Sequence, residues 1–444
     1  MHHMFSSPVG PSAYITAMTI LAVLFAVSLP GATAAARGPR TITVGHRDAD
    51  VVGNDSFALQ KAADLLAEDG GTLIIKSGTY TMYNSLSVPS NVTVRGEDPP
   101  PVLVKCDGFE TKLVTDCGYG LDSAVVEDAS GLRVGMGVSF LDDGNRSGWA
   151  VNVRTITAIK GNQLTIDRMT NRDYIVTRHA FIRSAFPIVC GLEAENVRLE
   201  NLIVDGNKEK NGALNGCRGG AIYFWKSRNC HVVNCVAGNF NGDGISFQVS
   251  PGVTVEACES YGNAALGIHP GSGSHHCAVT DCRIHDNGTD GLFLCWRVQH
   301  SRFADNDSRN NGRHGISIGH KDTDNLFVNN TVTGNAQHGV CFRKETEANA
   351  GHRNTFRSNT ITDNGTSGEG CGVYINGITH DITLVNNVIA DTRDADAKTQ
   401  HYAVWITPDT DGIRIDGNDL RGNKEGAIHN ESGGERNSIK KNKL

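Results

Sequence analysis

The sequence predicts an all-β fold, a right-handed single-stranded parallel β-helix with about 24 residues per rung, and three observations carry that expectation. Glycines at the exits of turns recur as Gly220, Gly244, Gly267, Gly291, Gly315 and Gly339, spaced 24, 23, 24, 24 and 24 residues apart. Each is followed by an apolar residue: Ala221, Ile245, Ile268, Leu292, Ile316 and Val340. A second register runs through Asn201, Cys235, Cys258, Cys282, Asn306, Asn330, Asn359, Asn387 and Asn418, and a third, five residues on, through Asn263, Asn287, Asn311, Asn335, Asn364 and Asn423. The third observation is the lack of any helical pattern inside the repeat. A chain that returns to the same place every two dozen residues without crossover helices must coil. Its rungs then bond to one another at roughly 4.8 Å, and identical side chains stack into ladders.

The elements follow in chain order. Ile15 to Leu29 is an apolar run ahead of small residues from Ala32 to Ala36, which reads as a signal peptide over 1–36 and not as a membrane span. Residues 37–104 hold the N-terminal cap and first rungs. There Phe57 to Glu68 places Leu59, Ala62, Ala63 and Leu66 on one face of a helix, with Asp55 or Ser56 as N-cap. Such a helix would cover the apolar end of the solenoid. Over 105–190 the period is lost, and alternation such as Gly137-Val138-Ser139-Phe140 predicts a small β insertion. Residues 191–444 form the β-helix with its groove. The cysteines at 235, 258 and 282 take the ladder slot otherwise held by Asn, so they are expected as stacked buried thiols.

Composition narrows the function. Lys plus Arg is 41 and Asp plus Glu is 48, a net charge of −7, which leaves no global basic field for nucleic acid or an anionic membrane. No nucleotide fingerprint, helix-turn-helix or zinc-spaced Cys cluster is present. A secreted, periplasmic or surface-exposed monomer is expected, with no resident cofactor. Ca²⁺ at Asp322, Asp324 or the Asp243 region is the one metal that acidic oxygens there would suit.

Alternation along a strand points Ser246, His269, Phe293, Ser317 and Cys341 outward if the following-glycine positions point in. Residues before the glycines add Asp243, Asp290, His314 and His338 to that stripe, and those past the strands add Trp296, Arg297, His320, Lys321, Arg343 and Lys344. A uronic acid polymer carries one carboxylate per sugar. Removing the proton beside it requires a cation to neutralise the carboxylate and a base working near pH 7. Arginine supplies the clamp, and histidine, with an ordinary pKa of about 6.5, the base. The stripe therefore predicts β-elimination or epimerisation on an anionic polysaccharide, with His269 or His314 as base and Arg313, Arg297 or Arg343 on the carboxylates. The remaining stripe residues would line the substrate path. Hydrolysis is the alternative: Asp243 and Asp290, two rungs or roughly 9.6 Å apart, fall near the edge of the window of about 6.5–9.5 Å for inverting glycosidases. A non-catalytic glycan-binding solenoid is a third reading.

The laddered solenoid resembles the pectin-lyase-like superfamily of secreted, polysaccharide-acting β-helices over about residues 40–440. Within it, Ser260-Tyr261-Gly262-Asn263, His285-Asp286-Asn287-Gly288-Thr289-Asp290-Gly291 and Arg313-His314-Gly315 resemble consecutive rungs of mannuronan C5-epimerases and related alginate-active enzymes. This closer likeness covers about 255–345. That resemblance implies substrate-groove roles for Asp290, Arg313 and His314. It does not supply the epimerase catalytic set: the family's Tyr-Gly-Phe-Asp-Pro-His rung reads Leu266-Gly267-Ile268-His269-Pro270-Gly271 here, with Leu266, His269 and Gly271 in place of its Tyr, Asp and His. A fainter similarity to polygalacturonase-like glycosidases rests on Asn241-Gly242-Asp243-Gly244 and His314-Gly315-Ile316-Ser317-Ile318-Gly319, without their adjacent Asp pair.

Overall fold

The repeat winds into three long parallel sheets. In the computed structural model, which describes residues 40–368 and 370–444, parallel sheets of 14, 11 and 10 strands run along the molecule, one strand of each per rung. The protein is a right-handed parallel β-helix. An apolar column stacks in register through Ile222, Ile245, Ile268, Leu292, Ile316, Val340, Val373 and Val404 in the 11-stranded sheet; on the first of these rungs Ile222 holds the place expected of Ala221, which aligns instead with Gly244. All are buried. On the 14-stranded sheet the interior column includes Phe303, Phe327 and Phe356, stacked with ring centroids 4.8 and 4.3 Å apart.

The polar ladders close the corners. Asn306 Nδ2 donates to Asn330 Oδ1 at 2.9 Å, Asn330 to Asn359 at 2.9 Å, Asn359 to Asn387 at 2.9 Å, Asn387 to Asn418 at 2.9 Å and Asn418 to Asn442 at 3.0 Å. Each amide also donates to a main-chain carbonyl of the rung before, as Asn330 does to Phe303 O at 3.0 Å. The sequence register needs two corrections. Asn201 pairs with Asn234, one residue ahead of the ladder slot, because it has the left-handed corner conformation (φ 56°) and Leu202 takes the interior place. The other ladder passes from Asn364 through Gln400 to Asn423, a longer amide spanning an enlarged rung. Cys235, Cys258 and Cys282 are buried free thiols stacked in the ladder, as expected.

The helix Ser56–Asp64 begins at Asp55, whose Oδ1 accepts from Phe57 N and Ala58 N at 3.0 and 3.1 Å. It buries Leu59, Ala62 and Ala63 against the first rungs, and Leu66 is buried just beyond its end. Strands between Glu110 and Arg183 form a separate six-stranded antiparallel sheet. Its residues reappear below as one wall of the groove. The apolar run at Ile15 to Leu29 lies outside the described residues, among which no helix is long and apolar enough to cross a membrane.

Candidate active site

The outward column of the 11-stranded sheet runs in register through Cys190, Tyr223, Ser246, His269, Phe293, Ser317, Cys341, Tyr374 and Trp405. The predicted stripe therefore shares one wall. It is not an open trough, however: His269 is 5% exposed, His314 7% and Asp290 0%. Over His269 the cover is a strap, residues 213–219, laid across the sheet, whereas Asp290 is capped by Arg313. Ser246 Oγ donates to Gly216 O at 2.7 Å, Tyr223 Oη to Cys217 O at 2.7 Å, and Leu214 N to Asn241 O at 2.9 Å.

Beside the strap lies a cavity of about 600 Å³, lined by Asp243, His269 and Phe293 from the groove sheet and its turns, by Leu214 to Cys217 from the strap, and by Leu141, Arg146, Phe181 and Arg183 from the inserted sheet. At its floor, His269 Nδ1 donates to Asp243 Oδ2 at 2.7 Å, with both side chains almost fully buried. A carboxylate on Nδ1 sets the tautomer, so Nε2 carries the lone pair. Nε2 lies 3.4 Å from Gln248 Nε2, its one donor contact. Phe293 meets the imidazole edge to face at 5.3 Å between centroids. Gly216 rests on the dyad: a Cβ there would sit 1.7 Å from Asp243 Oδ2 and 2.8 Å from His269 Nδ1. The cavity's two thiols do not compete as nucleophiles, because burial pushes Cys217 up to about 11 and Cys295 up to about 12.

The other predicted residues have different work. Asp290 is held bidentate by Arg313, Nε to Oδ1 at 2.8 Å with Nη2 on Oδ2, and accepts His314 N at 3.0 Å. Neither Asp290 nor Arg313 lines the cavity, so the carboxyl pair expected for hydrolysis is not assembled, and Arg313 is taken by a carboxylate of its own chain. His314 and His338 stack at 5.2 Å, and His338 stacks on Tyr374 at 4.5 Å. Their Nδ1 atoms accept main-chain N–H groups of the next rung, from His338 at 3.3 Å and Cys371 at 3.1 Å. Burial lowers His314 to about 4 and His338 to about 3. His314 is therefore a neutral ladder residue and not a base tuned to pH 7.

Arg343 is likewise occupied. It donates to Leu294 O at 2.7 Å and Ser317 Oγ at 2.8 Å, and lies over the Phe293 ring at 4.4 Å. His320 contacts Glu345 at 2.8 Å and Cys295 Sγ at 3.2 Å and stacks under Trp296 at 4.7 Å. Trp296 and Arg297 are exposed, Lys321 is half-buried and Lys344 exposed, all beyond the cavity lining. Asp322 is fully buried, accepts Val298 N and Gly319 N at 2.9 and 3.2 Å, and is pushed up to about 7 by burial. Asp324 is bound to Arg353 at 2.7 and 2.8 Å. These carboxylates are spoken for within the fold.

Sequence reasoning missed Gln248, the strap and the wall arginines. Gln248 is the residue two past Ser246 on the same outward face and could have been found by alternation. The strap and Arg146 and Arg183 lie in segments with no repeat signal.

Fold and site define a right-handed parallel β-helix protein with a walled cavity over one sheet. Residues 168–424, more than half the chain, match the family described as "Periplasmic copper-binding protein (NosD)", and the chain belongs to that family. Among solved structures it is similar to the A-module of Azotobacter vinelandii mannuronan C-5 epimerase AlgE4 (15% identity, 88% of this chain and 94% of that one, TM-score 0.58). The AlgE6 A-module of the same organism follows (14%, 88% and 95%, 0.52), as does PfbA, a surface adhesin of Streptococcus pneumoniae (14%, 87% and 85%, 0.49). At these identities the likeness is one of fold. No curated protein matches the chain. The family description names copper. Among the described residues, no three of His, Cys, Asp and Glu converge where a metal ion could be held. Sulfur and imidazole donors meet in pairs, as at Cys295 with His320 and at His275 with His276, and not in threes, so the described residues do not fit a copper centre.

Proposed function

We propose that this protein acts on an anionic, uronate-containing polysaccharide outside the cytoplasm, by β-elimination or related epimerisation, with His269 as base and Asp243 orienting it. The observation that carries this reading is the Asp243–His269 dyad at the floor of a cavity of about 600 Å³. Asp243 holds the imidazole with the lone pair on Nε2, where the long 3.4 Å contact from Gln248 must yield for a proton to be taken, and stabilises the imidazolium that forms. In elimination, the proton beside the uronate carboxylate moves to Nε2, the C4–O bond breaks, the C4–C5 double bond forms and the departing oxygen takes a proton from water. Arg146 and Arg183 on the cavity wall are the cations nearest the dyad; each is paired with a carboxylate at the surface, Asp143 and Glu110, and would have to share its charge with the substrate carboxylate. The family's description as periplasmic and the signal-like start of the chain support the location; the epimerase A-modules support a carbohydrate-acting β-helix.

The test is a screen of alginate, pectate, hyaluronan-like and neutral polysaccharides with mass analysis of products. Elimination gives an unsaturated sugar absorbing in the ultraviolet; epimerisation gives altered uronate composition at unchanged mass. His269→Ala and Asp243→Asn are each expected to lower the rate about 100-fold or more. Full activity in His269→Ala, or a glycan bound but chemically unchanged by the wild type, overturns the proposal.

A further inference from the structure

A second cavity, of about 750 Å³, opens on the other side of the strap, between the inserted sheet and the first rungs. Tyr223 and Trp225 belong to its lining, in the groove-sheet rung that precedes Ser246 and Gln248. The cavity lies within the size range of small-molecule sites. Its charge is what sets it apart. Arg154, Arg168 and Arg218 line it against a single carboxylate, Asp167, in a chain whose net charge is −7.

Asp167 is paired with Arg168 at 3.3 Å. Among the described residues, neither Arg154 nor Arg218 forms an ion pair with a carboxylate, although Asp167 lies near enough to Arg154 to act on its charge. Arg154 is clamped by carbonyls, donating to Arg168 O at 2.9 Å, Val153 O at 2.8 Å and Met169 O at 2.8 Å, with Asn152 Oδ1 as a further acceptor. Arg218 donates to Trp149 O at 2.6 Å and lies over the Trp149 ring at 4.9 Å, while its buried Nε has no partner. Main-chain oxygens and a ring thus hold both guanidinium groups in place without neutralising them. Burial lowers the pKa of each, yet arginine remains charged at any physiological pH. Three arginines share the one carboxylate of the lining, Asp167, and Arg218 has none beside it, so the partly desolvated cavity keeps a positive excess that favours an anion.

We propose that this cavity binds an anionic saccharide unit, its carboxylate or sulfate held by Arg154 and Arg218 and its ring laid against Trp225. The anion preference follows from the arginines alone. The saccharide class rests on the carbohydrate function proposed above. Because the strap separates the two cavities, this site binds without the dyad taking part.

The experiment is calorimetric titration of the full chain with trigalacturonate, a sulfated oligosaccharide and neutral maltotriose. At least one charged ligand is expected to bind ten times more tightly than maltotriose, to weaken as salt rises and to be displaced by inorganic sulfate. Arg218→Met is expected to lose about tenfold in affinity and Arg218→Lys less, with unchanged melting temperatures showing that both fold. Equal binding of maltotriose, or wild-type affinity in a folded Arg218→Met, overturns this site whether or not the dyad is active. Loss of turnover in His269→Ala with such a result would leave the catalytic proposal standing alone; charged-ligand binding that depends on Arg218, in a wild type that changes no polysaccharide, would do the reverse.

Discussion

At Gly216 one missing methyl group decides whether the dyad exists. The strap backbone approaches Asp243 and His269 so closely that any Cβ would occupy the space of the carboxylate oxygen. Gly216→Ala must therefore lift the strap or turn Asp243 away from Nδ1. On the polysaccharide found by the screen, this variant is expected to lose at least tenfold in rate while its melting temperature falls by only a few degrees. Retained activity would show that the bond between Asp243 and His269 does not orient the base. His269 illustrates the limit of reading residues singly. Its outward direction is plain from alternation, whereas its burial comes from a strap more than fifty residues earlier in the chain.

Ladders are the unit of stability between residue and fold. Asn330 is 2% exposed and its side chain makes four hydrogen bonds, to Asn359 and Phe303 as donor and from Asn306 N and Nδ2 as acceptor. Asn330→Ala strips these in one step and leaves buried main-chain and amide groups unpaired, at about 1–3 kcal/mol each. A loss of about 3 kcal/mol or more is expected in urea unfolding; a loss below about 1 kcal/mol would mean that water replaces the ladder. The histidine stack behaves differently because it titrates. His314 and His338 have pKa values of about 4 and 3, below the ordinary 6.5 of the unfolded chain, so the unfolded state binds more protons between these limits. Their contribution is whole above about pH 6.5 and is lost as pH falls toward 4. Melting temperature should drop between pH 6.5 and 4.5. The slope should flatten in His338→Asn, which keeps an acceptor for the Cys371 N–H but cannot charge.

For the whole molecule, the solenoid supplies a wall and the insertion supplies the other. The parallel sheets alone would leave a shallow face. Packing the antiparallel sheet of residues 110–183 over it, with the strap across, encloses two cavities on one surface. No cation is built into either in this reading. Asp322 and Asp324, the carboxylates that best suited Ca²⁺ in the sequence, are bound by main-chain N–H groups and by Arg353. Chelator is therefore expected to leave turnover and melting temperature unchanged; restoration of a lost activity by Ca²⁺ would place a metal in the mechanism.

The winding of the chain and most of its apolar column and asparagine ladders were legible in the sequence, and the helix cap was narrowed to Asp55 or Ser56, with Ala221, Asn201 and Gln400 left for the structure to place. Each depends on spacing along the chain, and a repeat turns spacing directly into proximity. Asp243 and His269 stood in the sequence as separate candidates, Asp243 with Asp290 and His269 beside His314; that the two meet in one hydrogen bond came only from the structure. Which stripe residues are free to act was not legible either, since Arg313 is occupied by Asp290 and Arg343 by Leu294, Ser317 and Asp322 through geometry that spacing leaves open. The cavities themselves arise where the aperiodic residues 105–219 fold back over periodic ones. Contacts between a repeat and a non-repeat depend on shape in three dimensions, and no period in the chain encodes them.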